Sequence, residues 1–172
     1  MKATDSLATR EQAARELLAR YVRVVDDPDR IEEWPDLFAD QAEYRVVTRE
    51  NLEAGLPVCV VCDDTKDRIV DRVTVIREFW GAGGRLEDRH YNQVRPRHVV
   101  GPVWTEPQED GTVRVLANFA VWGTPTGDFY PRLLAVGEYR DVVEFGPQGP
   151  RFRSKWVVLD TPVLQDVFVY PL

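Results

Sequence analysis

The sequence predicts an α+β domain, with helices first and a strand-rich, antiparallel second half. Two patterns and one turn carry this. Apolar residues recur at helical spacing in segments ahead of residue 81, and long extended segments with period-two alternation come after it. Asp110-Gly111 sits between two of those extended segments, as in a tight hairpin. Helices followed by meandering strands is an α+β order, unlike the alternation of βαβ units.

Residues 1–8 are expected to be a flexible N-terminus ahead of a single domain over 9–172. Thr9 and Gln12 fit a capping box, and Leu17, Leu18, Tyr21, Val22, Val24 and Val25 form an apolar stripe; together they predict a helix over 10–26. Asp26-Asp27-Pro28-Asp29 breaks it, because Pro28 disfavours helix at Asp27, and Asp29 can cap the next helix. That short second helix carries Ile31, Trp34, Leu37 and Phe38 to one side. Pro35 near its start is tolerated, since first-turn amides lack helical partners.

Residues 43–48 read as a strand with Tyr44 and Val46 on one face. Residues 49–64 have no clear period and hold Gly55 and Pro57, so an irregular excursion is expected, with a short strand near 58–61. Residues 67–80 predict a third helix with Ile69, Val70, Val73, Val75, Ile76 and Phe79 apolar, ended by a Gly81-Ala82-Gly83-Gly84 loop. Strands are expected over 94–103, 112–122, 133–145 and 151–159. In the second of these Val113, Val115, Ala117, Phe119 and Val121 share a face, and Leu116, Ala120 and Trp122 lie opposite. Residues 124–128 read as a turn or excursion, 146–150 as a second hairpin turn, and 164–171 as a short terminal strand.

The 172 residues suit one domain of ~100–200 residues. No apolar run approaches the ~20 residues that span a bilayer, and the first ten residues lack the apolar core of a signal peptide. A cytoplasmic protein is the expectation. The net charge of −7, with Lys and Arg scattered, argues against sequence-independent nucleic-acid binding.

Few residues carry chemistry. Cys59 and Cys62 form a C-x-x-C without the second ligand pair of a zinc site or the βαβ setting of a thioredoxin-like site. They read as two small, partly buried side chains in an extended segment. Asp88, His90 and His98 are the residue types of a two-His-one-carboxylate iron site. Pro96 interrupts their spacing and no i,i+4 pair exists, so no metal site is expected. A Rieske cluster needs paired Cys and His motifs, and no C-x-H or C-x-x-H occurs. The Gly81–Gly84 run comes after no strand and no Lys-Ser/Thr closes it, so it is no phosphate cradle. Trp34, Trp80, Trp104, Trp122 and Trp156 fall on different elements at core-like positions, which core and subunit-interface packing explains.

A series of local signatures runs along the chain: Glu32-Glu33-Trp34-Pro35-Asp36-Leu37-Phe38, Tyr44 to Asn51 with Gly55-Leu56, Asp71-Arg72-Val73 with Ile76-Arg77-Glu78, Arg97-His98-Val99-Val100-Gly101, Gly137-Glu138-Tyr139-Arg140-Asp141, and Tyr170-Pro171-Leu172. In this order and spacing the chain resembles the small (β) subunit of Rieske non-haem iron aromatic-ring-hydroxylating dioxygenases. The resemblance implies an NTF2-like (SnoaL/scytalone dehydratase-like) cone, in which N-terminal helices pack into a strongly curved mixed/antiparallel sheet. It implies a trimer within an α3β3 oxygenase, whose large α subunit carries the Rieske [2Fe–2S] cluster, the mononuclear Fe(II) and the substrate pocket. No cofactor and no catalytic group is then expected in this chain. Glu33-Trp34-Pro35, Gly55-Leu56, Asp71 to Glu78, Arg95-x-Arg97-His98 and the Pro171-Leu172 pair look most like small subunits acting on carboxylated aromatics of the terephthalate, salicylate and anthranilate types. A Gly81–Arg85 insertion departs from the pattern.

Within that resemblance, Trp34, Arg49, Glu50, Asp71, Arg72, Arg95, Arg97, His98, Glu138, Arg140 and Asp141 are candidate interface or structural residues. So many charges cannot be buried unpaired in a monomer. The same fold also hosts cofactor-free dehydratases and isomerases with a buried carboxylate or His as general base. In that alternative the candidates are Tyr44, Asp88, His98, Glu138 and Tyr139. Asp88 beside Arg89, and Glu138 two before Arg140, read more simply as ion pairs.

Overall fold

The computed structural model describes residues 6–79, 94–125, 129–162 and 170–172. Helix α1 (Leu7–Val25) is capped by Ser6, whose hydroxyl accepts the Thr9 N–H. The cap lies three residues before the expected Thr9, and Gln12 reaches forward to Glu16 instead of back. Residues 7 and 8 therefore belong to the helix, not to a free tail. A Ser cap of this kind contributes ~1 kcal/mol. The buried stripe is Ala14, Leu17, Leu18, Tyr21, Val24 and Val25. The helix stops where expected, with Asp27 held extended ahead of Pro28.

The expected second helix is instead two 3₁₀ turns, Pro28–Glu33 and Pro35–Leu37. Asp27, not Asp29, caps the first by accepting the Asp29 N–H. Pro28 takes a first-turn position where no amide is needed, but Pro35 withholds one that a continuous α-helix over this stretch would use, so only short tight turns form. Ile31, Trp34, Leu37 and Phe38 are still buried together.

Strand β1 (Phe38–Thr48) begins well before the expected position 43. The next stretch is not wholly irregular. Thr48 caps a short helix, α2 (Arg49–Glu53), and strand β2 (Val61–Asp63) sits slightly later than expected, in antiparallel register with Tyr44 to Val46. Cys59 and Cys62 also depart from expectation. They are bonded to each other, with Cα atoms 5.9 Å apart, and Cys62 is exposed. In α3 (Lys66–Phe79), Ile69, Val73 and Ile76 face the core while Val70 and Val75 face solvent. Trp80, the Gly81–Gly84 loop, residues 126–128 and most of the expected terminal strand lie outside the described residues.

The remaining strands are β3 (Val94–Pro107), β4 (Val113–Pro125), β5 (Arg132–Gly146) and β6 (Gly149–Leu159). The described strands form one open mixed sheet of order β2-β1-β6-β5-β4-β3, in which β1 and β6 run parallel and every other pair antiparallel. Helix α1 packs on β3, β4 and β6, and α3 on β1 and β2, so both cover one face.

The predicted Asp110-Gly111 turn joins β3 to β4. Gly111 takes φ +82°, and the Asp110 carboxylate accepts the Thr112 amide and hydroxyl. On β4, Val113, Val115, Ala117, Phe119 and Val121 all point into the core. Gly137 on β5 is required by packing: a Cβ there would run into the Val158 carbonyl of β6. Between sheet and helices, Tyr21, Trp34, Phe38, Tyr44 and Phe152 meet largely edge to face, and Tyr139 stacks on Phe119 at 4.3 Å.

Candidate functional site

Cross-strand partners in a sheet point to the same side, so register alone defines rows of neighbours. One inner row runs Thr105–Val115–Asp141–Lys155–Tyr44–Asp63 across all six strands. It is unusually polar for a core. Lys155 and Asp141 have no exposed side-chain surface, and Lys155 Nζ lies 3.0 Å from Asp141 Oδ2. The same Nζ sits 3.6 Å from the Tyr139 ring centroid and 4.1 Å from that of Tyr21. Burial pushes the Asp141 carboxyl up to about 6 against the pull of the ammonium, and it pulls Lys155 down.

The row is tied to the elements that cover it. The Tyr44 hydroxyl accepts the Leu172 N–H at 2.9 Å, and the Tyr21 hydroxyl donates to the Leu172 carbonyl. Burial pushes the Tyr44 phenol up to about 12 and that of Tyr139 upward as well. Neither is poised as an acid or base near neutrality. At one end, Thr105 donates to Glu11 and accepts from Arg15, both on α1. At the other, Arg72 of α3 grips Asp63 with two bonds of 2.5 and 3.0 Å.

His98 has a fully buried side chain on β3. Its Nδ1 lies 2.7 Å from Asp26 Oδ1, and its backbone N–H donates to both carboxylate oxygens at 3.0 and 3.2 Å. An ionised carboxylate only accepts, so Nδ1 is the ring nitrogen that donates to Asp26. Nε2 has no hydrogen-bond partner among the described residues. Asp26 ends α1, so this contact joins the helix to the sheet. A carboxylate holding a histidine by Nδ1 is also how a general base is oriented.

The remaining sequence candidates scatter. Trp34 is wholly buried in the core of this chain. Arg49 of α2 pairs with Asp160 at 2.7 Å and Glu138 at 3.5 Å, and Glu138 also takes Arg140 at 3.1 Å. Glu138 thus sits in a charged cluster at the surface, not in an interior pocket. Arg97 reaches Asp26 at 3.4 Å, while Arg95, Glu50 and Asp71 are exposed. Asp88 and His90 lie outside the described residues. Among the described residues no three His, Cys, Asp or Glu side chains come together to hold a metal ion.

The outer face of the sheet has its own row: Trp104–Leu116–Arg140–Trp156–Arg45–Cys62. Glu43 accepts from both Trp156 Nε1 and Arg45, and the Arg45 guanidinium stands 5.4 Å from the Trp156 ring centroid. Trp104 and Trp122 are 53% and 41% exposed, so of the core and subunit-interface positions expected for the tryptophans these two do not fall in the core. Val99 and Leu133 stand in solvent as well, and Leu116, Arg140, Val142, Ser154 and Trp156 line an open groove of about 520 Å³.

Three residues central to this geometry, Asp26, Tyr21 and Lys155, do not stand out in the sequence as site residues. Asp26 reads as a helix breaker and Tyr21 as part of an apolar stripe. Lys155 carries a usable signal: period two places it on the face of Val157 and Leu159, where a lysine needs a partner.

Comparison with known proteins adds to the geometry. Residues 20–166 match the family model described as ring hydroxylating beta subunit. The chain is 29% identical over 153 residues to the anthranilate 1,2-dioxygenase small subunit of Burkholderia cepacia, covering 89% of this chain and 88% of that protein. It superposes with TM-score 0.76 and 29% identity on a structure assigned as the beta subunit of an aromatic-ring-hydroxylating dioxygenase from Novosphingobium aromaticivorans, over 93% of this chain and 94% of the other. An NTF2-like protein with a cystatin-like fold from the same organism matches at TM-score 0.63 and 19% identity over 94% of each chain, a likeness of fold alone.

Proposed function

The chain belongs to the ring hydroxylating beta subunit family, and from that membership we propose that it is the non-catalytic structural subunit of an aromatic-ring-hydroxylating dioxygenase. It joins a large α subunit that supplies the Rieske cluster, the mononuclear iron and the aromatic-binding pocket. It self-associates as a trimer within an α3β3 assembly, acts in the cytoplasm, and serves an enzyme for a carboxylated aromatic. The anthranilate relative supports that substrate class. No described helix is long and apolar enough to cross a membrane.

The observation that carries the structural role is the contrast between the two faces of the sheet. The inner row spends its polar groups on one another and on the covering helices. The outer face leaves Trp104, Trp122, Val99 and Leu133 in water, which a lone soluble subunit has reason to cover. The charged groups around it, Arg140 and Arg45 with Glu138 and Glu43, can set register between copies. The buried Asp26–His98 contact supports the cofactor-free alternative, with His98 Nε2 as base.

The two readings separate in one experiment. The chain is purified alone and co-expressed with its large subunit, and the mass of each is measured by light scattering beside oxygenase turnover per assembled large subunit. A higher oligomer with turnover only in the mixed complex is the expected result. Turnover of any substrate by the isolated chain, lost on His98→Ala with the oligomer intact, would overturn the structural reading.

A further inference from the structure

The Lys155 ammonium is held by one carboxylate and three aromatic rings, and these surroundings have the composition of a ligand site. The ammonium donates to Asp141 Oδ2 at 3.0 Å. The rings of Tyr139, Tyr21 and Phe152 stand with centroids 3.6, 4.1 and 5.1 Å from it, on elements β5, α1 and β6. A carboxylate at one side and aromatic faces on the others is how proteins recognise an alkylammonium, because each ring presents its negative face to the cation. The box is also built independently of the lysine. Tyr21 is anchored by its hydroxyl to Leu172, and Tyr139 by its stack on Phe119. Asp141 Oδ1 is fully buried and has no hydrogen-bond partner among the described residues, so the carboxylate has acceptor capacity that Lys155 does not use.

We infer that the Tyr21–Tyr139–Phe152–Asp141 box is a preformed alkylammonium site that the Lys155 side chain of the chain itself occupies. The consequence is a binding activity held closed by one residue. With the side chain cut back to Cβ, the box accepts a free primary alkylammonium of matching length. This inference does not depend on the proposed role in an oxygenase, since it concerns the interior of one chain.

The test uses the full chain with Lys155→Ala and n-propylammonium, which restores the three carbons and the nitrogen removed. Urea unfolding is followed at neutral pH across a range of amine concentration, with propan-1-ol and tetramethylammonium as controls. Lys155→Met, an apolar side chain of similar length, fills the box without a charge. Above its dissociation constant, each tenfold rise in n-propylammonium should raise the folding equilibrium constant of Lys155→Ala about tenfold. Wild type and Lys155→Met should not respond, and adding Asp141→Asn to Lys155→Ala should abolish the response. If Lys155→Ala does not fold by itself, refolding in n-propylammonium should recover it, and refolding in propan-1-ol should not. Three results overturn the inference: a folded Lys155→Ala indifferent to the amine, an equal response to propan-1-ol, or a Lys155→Ala that stays unfolded in the amine while Lys155→Met folds.

Discussion

Asp26→Ala should be among the most damaging single substitutions outside the apolar core. The carboxylate is 6% exposed and accepts the His98 amide and the His98 ring nitrogen. Its loss removes one charge-assisted bond of ~1.5–3 kcal/mol and strands a buried backbone N–H at ~1–3 kcal/mol. A total near 4 kcal/mol is a large share of the ~5–15 kcal/mol that holds a domain together. With a urea m-value of ~2–3 kcal/mol/M, the unfolding midpoint should fall by ~1–2 M with the slope unchanged. Asp26→Asn keeps one acceptor oxygen and should lose about half as much. The measurement is a urea titration read by tryptophan fluorescence. A loss below ~1 kcal/mol for Asp26→Ala, or identical losses for Ala and Asn, would refute the view that this carboxylate locks α1 to β3. In the assembled oxygenase, turnover per large subunit should stay close to wild type even as yield drops.

The same geometry sets other outcomes. Gly137→Ala should cost ~1–3 kcal/mol, because the new Cβ meets backbone that cannot rotate away, and a melting curve equal to wild type would count against it. On the proposed self-association through the outer face, Trp104→Glu with Leu116→Glu should yield a folded monomer with unchanged circular dichroism, as checked by light scattering; an unchanged oligomer mass would place the interface elsewhere. Hydrogen bonds from the Thr112 hydroxyl and amide, with Arg153 nearby, hold the Asp110 carboxyl down to about 2 from its ordinary 3.8. A depressed carboxylate contributes stability above its unfolded value that is lost as pH falls through the folded one. Melting temperature should therefore drop between about pH 4 and 2 more steeply in wild type than in Asp110→Asn.

Period-two alternation made the C-terminal half legible. Val113 to Val121 on β4 and the Asp110-Gly111 turn lie where the sequence places them, because each depends on neighbours within a few residues. The first half was harder, and for a local reason. Pro28 and Pro35 cut a helix-like pattern into 3₁₀ turns, and the start of β1 is fixed by pairing with Phe152 across the chain. Period two puts Trp122 with Leu116 and Ala120 opposite Val113, but both faces of β4 carry apolar side chains, so spacing alone does not say which face the helices cover. His98 was legible as a candidate. Its partner Asp26 was not, since a helix-ending aspartate gives no hint of a strand it meets far along the chain.

The parallel pairing of β1 with β6 has a consequence for synthesis on the ribosome. Strands β3 to β6 form a meander, each pairing with the strand just made, so they can zip up in order. Strand β1 emerges early but seats between β2 and β6, the last of the described strands to appear. Until then Tyr44 has no Lys155 beside it, and Trp34, Phe38 and the apolar stripe of α1 have only part of their sheet to cover them. The nascent chain thus carries Trp34, Phe38 and Tyr44 only partly covered until β6 has been made, an interval in which exposed apolar segments aggregate. Moving residues 6–63 behind β6 by circular permutation would shorten that wait, and the soluble yield of the permuted chain is where the effect would register.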